Sequence, residues 1–153
     1  MNNDQLSLFM TRYCDTVFRV AYSFVKDRSD SEDIVQETFL RLYRCEKTFS
    51  SEEHIKAWLI RTAANLAKNH VKSAWVSRRA ELDDSIPAPQ HSDSGLAEAM
   101  QKLDRKYSIV IYLHYFEGYS TKEIAPLLGL TESNVKVRLK RGRDKLRDFL
   151  TEE

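Results

Sequence analysis

The sequence predicts an all-α protein: two small helical domains joined by a flexible linker, the C-terminal one built on a helix-turn-helix. Three observations predict it. Only four glycines and three prolines occur in 153 residues, among long stretches of good helix formers. Apolar residues recur at spacings of three and four, the period of a helix face. Residues 77–95, SRRAELDDSIPAPQHSDSG, hold two of the prolines, several Ser and Asp and almost no apolar side chains, and so read as a flexible linker. It divides the chain into an N-terminal domain, 1–76, and a C-terminal domain, 96–153.

Phe9, Tyr13, Val17, Val20 and Phe24 mark an amphipathic first helix from about Asp4 to Lys26, which DRSDS then breaks. Ser29 with Glu32 three positions on fits a capping box for a second helix that runs to about Arg44. Val35, Phe39 and Leu42 face inward there, and Asp33, Glu37, Leu40, Arg41 and Arg44 show on the other side. Five acids stand against one arginine between Asp27 and Glu37. The loop CEKTFSSEEH leads to a third segment, His54 to Ala80, which has no acid but carries Lys56, Arg61, Lys68, Lys72, Arg78 and Arg79. On a helix, Arg61, Asn65, Lys68, Lys72, Trp75 and Arg79 line one stripe, with Ile55, Leu59, Ala63 and Leu66 opposite. A solvated basic face would mix in acidic partners at i, i+4. A stripe of cations with an amide and an indole suits a nucleic-acid backbone and its unstacked bases.

In the second domain Leu96 to Glu117 reads as helical, in one piece or in two with Asp104 as an internal cap. Leu103, Tyr107, Val110 and His114 keep helical spacing, and Gly118 ends it. Ser120 and Glu123 make a capping box; Ile124, Leu127 and Leu128 face the core; Gly129 supplies a tight turn and Thr131 caps the next helix. That final helix turns Val135, Leu139, Leu146 and Phe149 inward. Its outward faces carry Asn134, Lys136, Arg138, Lys140, Arg141, Arg143, Lys145 and Arg147. Seven cations against two anions between Glu132 and Arg147 give it a local charge of +5. Such a helix can enter a DNA major groove, its first residues reading base edges and its later cations holding phosphates. Val137 points away from the apolar stripe, where it can meet a thymine methyl. Pro126 lies within the first helix of the motif and removes one internal hydrogen bond, which predicts a bend that leaves the motif intact.

Other classes find no support. No apolar run approaches a membrane span, and MNNDQLSLF has no basic start followed by an apolar stretch, so the protein is expected in the cytoplasm, without membrane insertion. Cys14 and Cys45 are read as half-buried thiols, neither a disulfide scaffold nor a zinc site, and the four histidines as structural. DSEDIVQE lacks the alternating ligands and glycine of a calcium loop, and no carboxylate or histidine cluster has catalytic spacing. No enzyme, metal, cofactor or small-molecule substrate is expected.

Three motifs occur in order: DSEDIVQETFLRLYR, then F-x8-WL-x-R-x-A-x-N-x-AKN from Phe49 to Asn69, then EIAPLLGLTESNVKVRLKRGRDKLR. With them the chain, from Tyr13 to Leu150, resembles the extracytoplasmic-function group of bacterial RNA polymerase sigma factors. The resemblance implies a non-catalytic subunit that binds core polymerase, through its β′ clamp helices and β flap, and directs promoter recognition, DNA melting and transcription initiation. It implies polymerase contacts at Asp33, Gln36, Glu37, Leu40 and Arg41. It implies capture of the minus-ten strand by Phe49, Lys56, Arg61, Asn65, Lys68, Asn69, Lys72, Trp75 and Arg79. Asn65 stands near the flipped base, and Phe49 opens the loop that shapes its pocket. Trp58 matches a family tryptophan of the core. Minus-35 contacts are implied at Thr131, Ser133, Asn134, Lys136, Val137, Arg138, Lys140 and Arg141. The family commonly has Gly-Thr or Ser-Thr where this chain has Ser133 and Asn134, and Ser in place of Val137, which bears on the promoter sequence read. An anti-sigma factor is a further expected partner. The competing reading, a stand-alone helix-turn-helix regulator, predicts a dimer and leaves the acidic helix and the Asn65 face unexplained.

Overall fold

The computed structural model describes residues 1–80 and 95–151, and of 74–80 the backbone alone. Every regular element among them is helical, and the chain forms two compact units, 1–83 and 84–153. The flexibility expected of the linker falls, for 81–94, outside the described residues.

The first unit is a three-helix assembly of α1 (Asn3–Val25), α2 (Arg28–Arg44) and α3 (Glu52–Ala80). Helix α1 opens on a capping box between Asn2 and Gln5 and ends at Lys26, whose left-handed backbone (φ 53°) turns the chain toward α2. Helix α2 does not start as expected. Asp27 is its cap, accepting the Asp30 N–H at 2.8 Å, so Ser29 lies inside the helix and makes no capping box with Glu32. Asp27 comes first in the chain with the same chemistry, and its carboxylate suits the positive end of the helix. Val17, Val20, Ala21, Phe24, Ile34, Val35, Phe39, Leu42, Ile55, Leu59, Ile60, Ala63, Ala64 and Ala67 form the core. Phe9, Tyr13 and Leu66, expected inward, are half-buried. Ser31 and Thr38 reach that core by donating their hydroxyls to the carbonyls of Asp27 and Ile34, one turn back.

Two contacts tie α3 to its neighbours. Glu52 pairs with Arg12 of α1 and also bonds Tyr13, whose hydroxyl is held above its ordinary range, first by burial and then by that carboxylate. His70 Nε2 lies 3.1 Å from Asp30 of α2. Helix α3 runs to Ala80, so residues 77–80, counted with the linker on composition, continue the helix. Cys14, expected half-buried, is exposed, since it falls on the outer side of α1; Cys45 is half-buried.

The second unit holds α4 (Gly95–Lys102), α5 (Arg105–Ile111), α6 (Thr121–Leu128) and α7 (Glu132–Thr151). The helical stretch does split at Asp104, but Asp104 caps through its carbonyl, which takes the N–H groups of Tyr107 and Ser108, and its side chain makes no cap bond. After α5 the backbone widens into a π turn, Tyr112–Phe116, closed by Gly118 at φ 79° and by the Tyr119 N–H on the Leu113 carbonyl. Leu103, Tyr107, Ile109, Val110, Leu113, Ile124, Leu127, Leu128, Val135 and Leu139 fill this core, with Leu146 and Phe149 half-buried at its end. Among the described residues no helix is long and apolar enough to cross a membrane.

Candidate nucleic-acid and protein interfaces

The structure brings most of the expected residues together on three exposed faces. On α2 the buried positions fall on one side, leaving Asp33, Gln36, Leu40 and Arg44 outward with Glu37 and Arg41 beside them. Glu37 and Arg41 form a surface ion pair at 3.1 Å. Leu40 is 39% exposed among these charges, and Tyr43, which the sequence reading passed over, is 43% exposed beside it. The signal for Tyr43 was its position three residues from Leu40, on the same flank.

On α3, Arg61, Asn65, Lys68, Asn69 and Lys72 are all exposed; Arg61, Asn65, Lys68 and Lys72 follow one another at three- and four-residue steps, and Asn69 lies one turn beyond Asn65. Lys68 holds its ammonium 6.0 Å from the Phe24 ring centroid, which keeps the charge against the core edge. Lys56 does not join them. It is half-buried, and at nine residues from Asn65 it lies half a turn round the helix. The side chains of Trp75 and Arg79 lie outside the described residues. Phe49 is half-buried at the head of α3, edge-on to Trp58 with ring centroids 5.9 Å apart, so Trp58 is a partner of Phe49 rather than a fully buried core residue.

The third face is the helix-turn-helix. The capping box of α6 is present in full, with Ser120 Oγ accepting the Glu123 N–H at 3.1 Å and the Glu123 carboxylate accepting the Ser120 N–H at 3.0 Å. The Ser120 bonds hold the Glu123 carboxyl below its ordinary range, the backbone bond first. Gly129 takes the left-handed turn at φ 67°, and Thr131 Oγ1 accepts the Asn134 N–H at 3.1 Å. The hydroxyl of Thr131 is therefore already used in capping α7. Pro126 sits on the exposed side of α6, which runs on to Leu128.

Ser133, Asn134, Lys136, Val137, Lys140 and Arg141 are exposed on α7, Val137 by 44%. Arg138 is half-buried and donates to Asn134 Oδ1 at 3.1 Å, so these two expected base readers present themselves as one hydrogen-bonded unit. Lys136 Nζ lies 3.6 Å from Glu132. Arg143 donates to the Tyr115 hydroxyl at 2.9 Å. That contact, made across the π turn, could not be read from sequence because the partners are 28 positions apart.

Residues 9–76 match sigma-70 region 2, and residues 95–146 match sigma-70 region 4. The chain is 31% identical over 149 residues to the RNA polymerase sigma factor SigV of Bacillus subtilis, covering 94% of this chain and 90% of that protein. It is 30% identical over 152 residues to the ECF RNA polymerase sigma factor SigE of Mycolicibacterium smegmatis, covering 91% of this chain and 59% of that protein's length. Among solved structures, CnrH in complex with the cytosolic domain of CnrY is similar with a TM-score of 0.69 and 26% identity, over 97% of this chain and 89% of that one. The two family matches cover both units in order, which a lone helix-turn-helix regulator does not account for. The chain belongs to the extracytoplasmic-function group of the sigma-70 family, the sigma factors of bacterial RNA polymerase.

Proposed function

We propose that this sigma factor divides its work between three faces: α2 for core polymerase, α3 for the minus-ten strand and α7 for the minus-35 element. The observation that carries this is the sorting of charge within one small unit. Exposed acids with Leu40 at their centre occupy α2, while exposed cations with Asn65 and Asn69 occupy an acid-free row on α3. An apolar anchor among charges suits a protein partner. Cations with amides suit a single strand whose extruded base loses a few kcal/mol of stacking, a loss that polar contacts and phosphate neutralisation must offset. On this reading residues 1–76 serve polymerase and the minus-ten element, and 96–153 serve the minus-35 element.

The protein then has no catalytic chemistry of its own, needs no cofactor, and works in the cytoplasm with polymerase. An anti-sigma factor is the further partner the family suggests; CnrH was solved with the cytosolic domain of CnrY.

The test separates opening from docking. In holoenzyme, Asn65→Ala reduces promoter melting, read by permanganate reactivity of unpaired thymines, by about tenfold, the scale of one or two polar contacts. Binding to the minus-35 duplex stays unchanged. Equal loss of both would place Asn65 away from the captured strand.

A further inference from the structure

Helix α3 begins with an aromatic clasp in which Phe49 is held by His54, a residue with no role assigned so far. His54 and Trp58 stand one turn apart on α3. Phe49, from the loop before it, is set edge-on against both, with ring centroids 5.2 Å from His54 and 5.9 Å from Trp58. The imidazole does more than pack. Its Nδ1 accepts the Ser50 N–H at 3.2 Å, and the Ser50 hydroxyl lies 3.3 Å from the same nitrogen. The His54 N–H in turn donates to the Ser51 hydroxyl at 3.1 Å, which caps the helix. Phe49 and Ser50 are thus tied to α3 through one side chain. Trp58 supplies a ring contact only.

The position of this clasp gives it a consequence. His54, Trp58, Arg61, Asn65 and Lys72 follow at steps of four, three, four and seven, which keeps them within about 60° of arc on the helix. The clasp therefore stands at the head of the row of cations and amides. Wherever Phe49 and its loop are held, they form the end wall of any groove that runs along that row. A loop already fixed in place spares the ordering entropy that a loose one would lose when a strand binds.

We propose that His54 is a positioning residue for strand capture: by accepting the Ser50 N–H and flanking Phe49, it holds the loop as the end wall of the groove that leads to Asn65. The proposal rests on the reading of α3 as the minus-ten face.

The experiment uses full-length protein with core polymerase. Two DNA probes come from a promoter mapped by run-off transcription: a fork junction whose minus-ten segment is single-stranded, and a duplex that stops after the minus-35 element. The variants are His54→Ala, His54→Asn, His54→Phe and Asn65→Ala. His54→Ala weakens fork-junction binding about tenfold, the size of one lost hydrogen bond with one lost ring contact, and leaves the minus-35 duplex unaffected. His54→Asn recovers most of the loss, since its side-chain oxygen can stand in for Nδ1. His54→Phe keeps a ring without an acceptor and binds less well than His54→Asn. The Asn and Phe variants carry the comparison if His54→Ala unfolds.

Wild-type fork binding by His54→Ala beside impaired Asn65→Ala overturns the role of His54 and leaves the α3 face standing. Equal loss on both probes, or no recovery with Asn, makes His54 a purely structural residue and also overturns it. Wild-type fork binding by Asn65→Ala overturns the reading of the face itself, and the proposal with it.

Discussion

Gly142 lies buried in the middle of α7, where a side chain would stand in the way. A Cβ there would meet the Ile111 side chain at 3.2 and 3.3 Å and the Tyr107 Cβ at 3.3 Å. Glycine inside a helix gives up about 1 kcal/mol of propensity relative to alanine. Close approach of α5 and α7 is what that loss sustains. Alanine is a near balance between the propensity gained and the small shift Ile111 must make. Leucine is not, because it forces the helices apart: Gly142→Leu should destabilise the C-terminal unit by about 2–3 kcal/mol, read by urea unfolding. Glu123 gives a prediction in pH. Its carboxyl is held below the ordinary glutamate value by the Ser120 bonds, so the folded state favours the ionised form. The stabilisation is present in full above the unfolded value and is lost as pH falls through the lower folded one. Acid titration of Glu123→Gln should accordingly show less loss of C-terminal helix stability below the glutamate range than wild type. An identical acid profile would mean the box contributes nothing through its charge.

At the scale of elements, the residues proposed to bind lie on the side of each helix that its packing does not use. Helix α2 buries Ser31, Ile34, Val35, Thr38, Phe39 and Leu42, which leaves Asp33 and Glu37 on the side away from the core. Glu37 pairs with Arg41 on the same helix, an exposed pair of a kind worth about 0–1 kcal/mol. Reversing Asp33 and Glu37 to Lys should therefore leave the melting temperature nearly unchanged. It should weaken binding to core polymerase by about tenfold or more, as like charges replace complementary ones. Unchanged affinity in a pull-down titration would remove α2 as the contact. Helix α3 works the same way, with small alanines at 63, 64 and 67 drawing it close to its neighbours while Arg61, Asn65 and Lys72 stay outside.

Across the whole molecule, what the sequence disclosed was what periodicity and cap chemistry encode. The inward stripes of α1, α2 and α7, the Ser120–Glu123 box and the left-handed Gly129 were all readable, because each depends on residues within a turn or two of one another. The cap of α2 was misread since Asp27 and Ser29 both offer acceptors in one short stretch, and only the backbone decides between them. Lys56, which the family resemblance placed among the minus-ten residues, lies half a turn round α3 from Asn65, a register that charge does not reveal. The π turn at Tyr112–Phe116, the Arg143–Tyr115 bond and the His54 clasp depend on tertiary contact or on backbone detail that composition does not carry. The charge sorting between α2, α3 and α7 was legible, and it is the part on which the proposed division of work rests.

Run-off transcription with purified protein, core RNA polymerase and fragmented genomic DNA from the source organism tests the sigma function most directly. Discrete transcripts should appear only when protein and core are both present, with start sites that share upstream minus-ten and minus-35 elements. No transcripts, together with no co-elution of the protein with core polymerase, would contradict it.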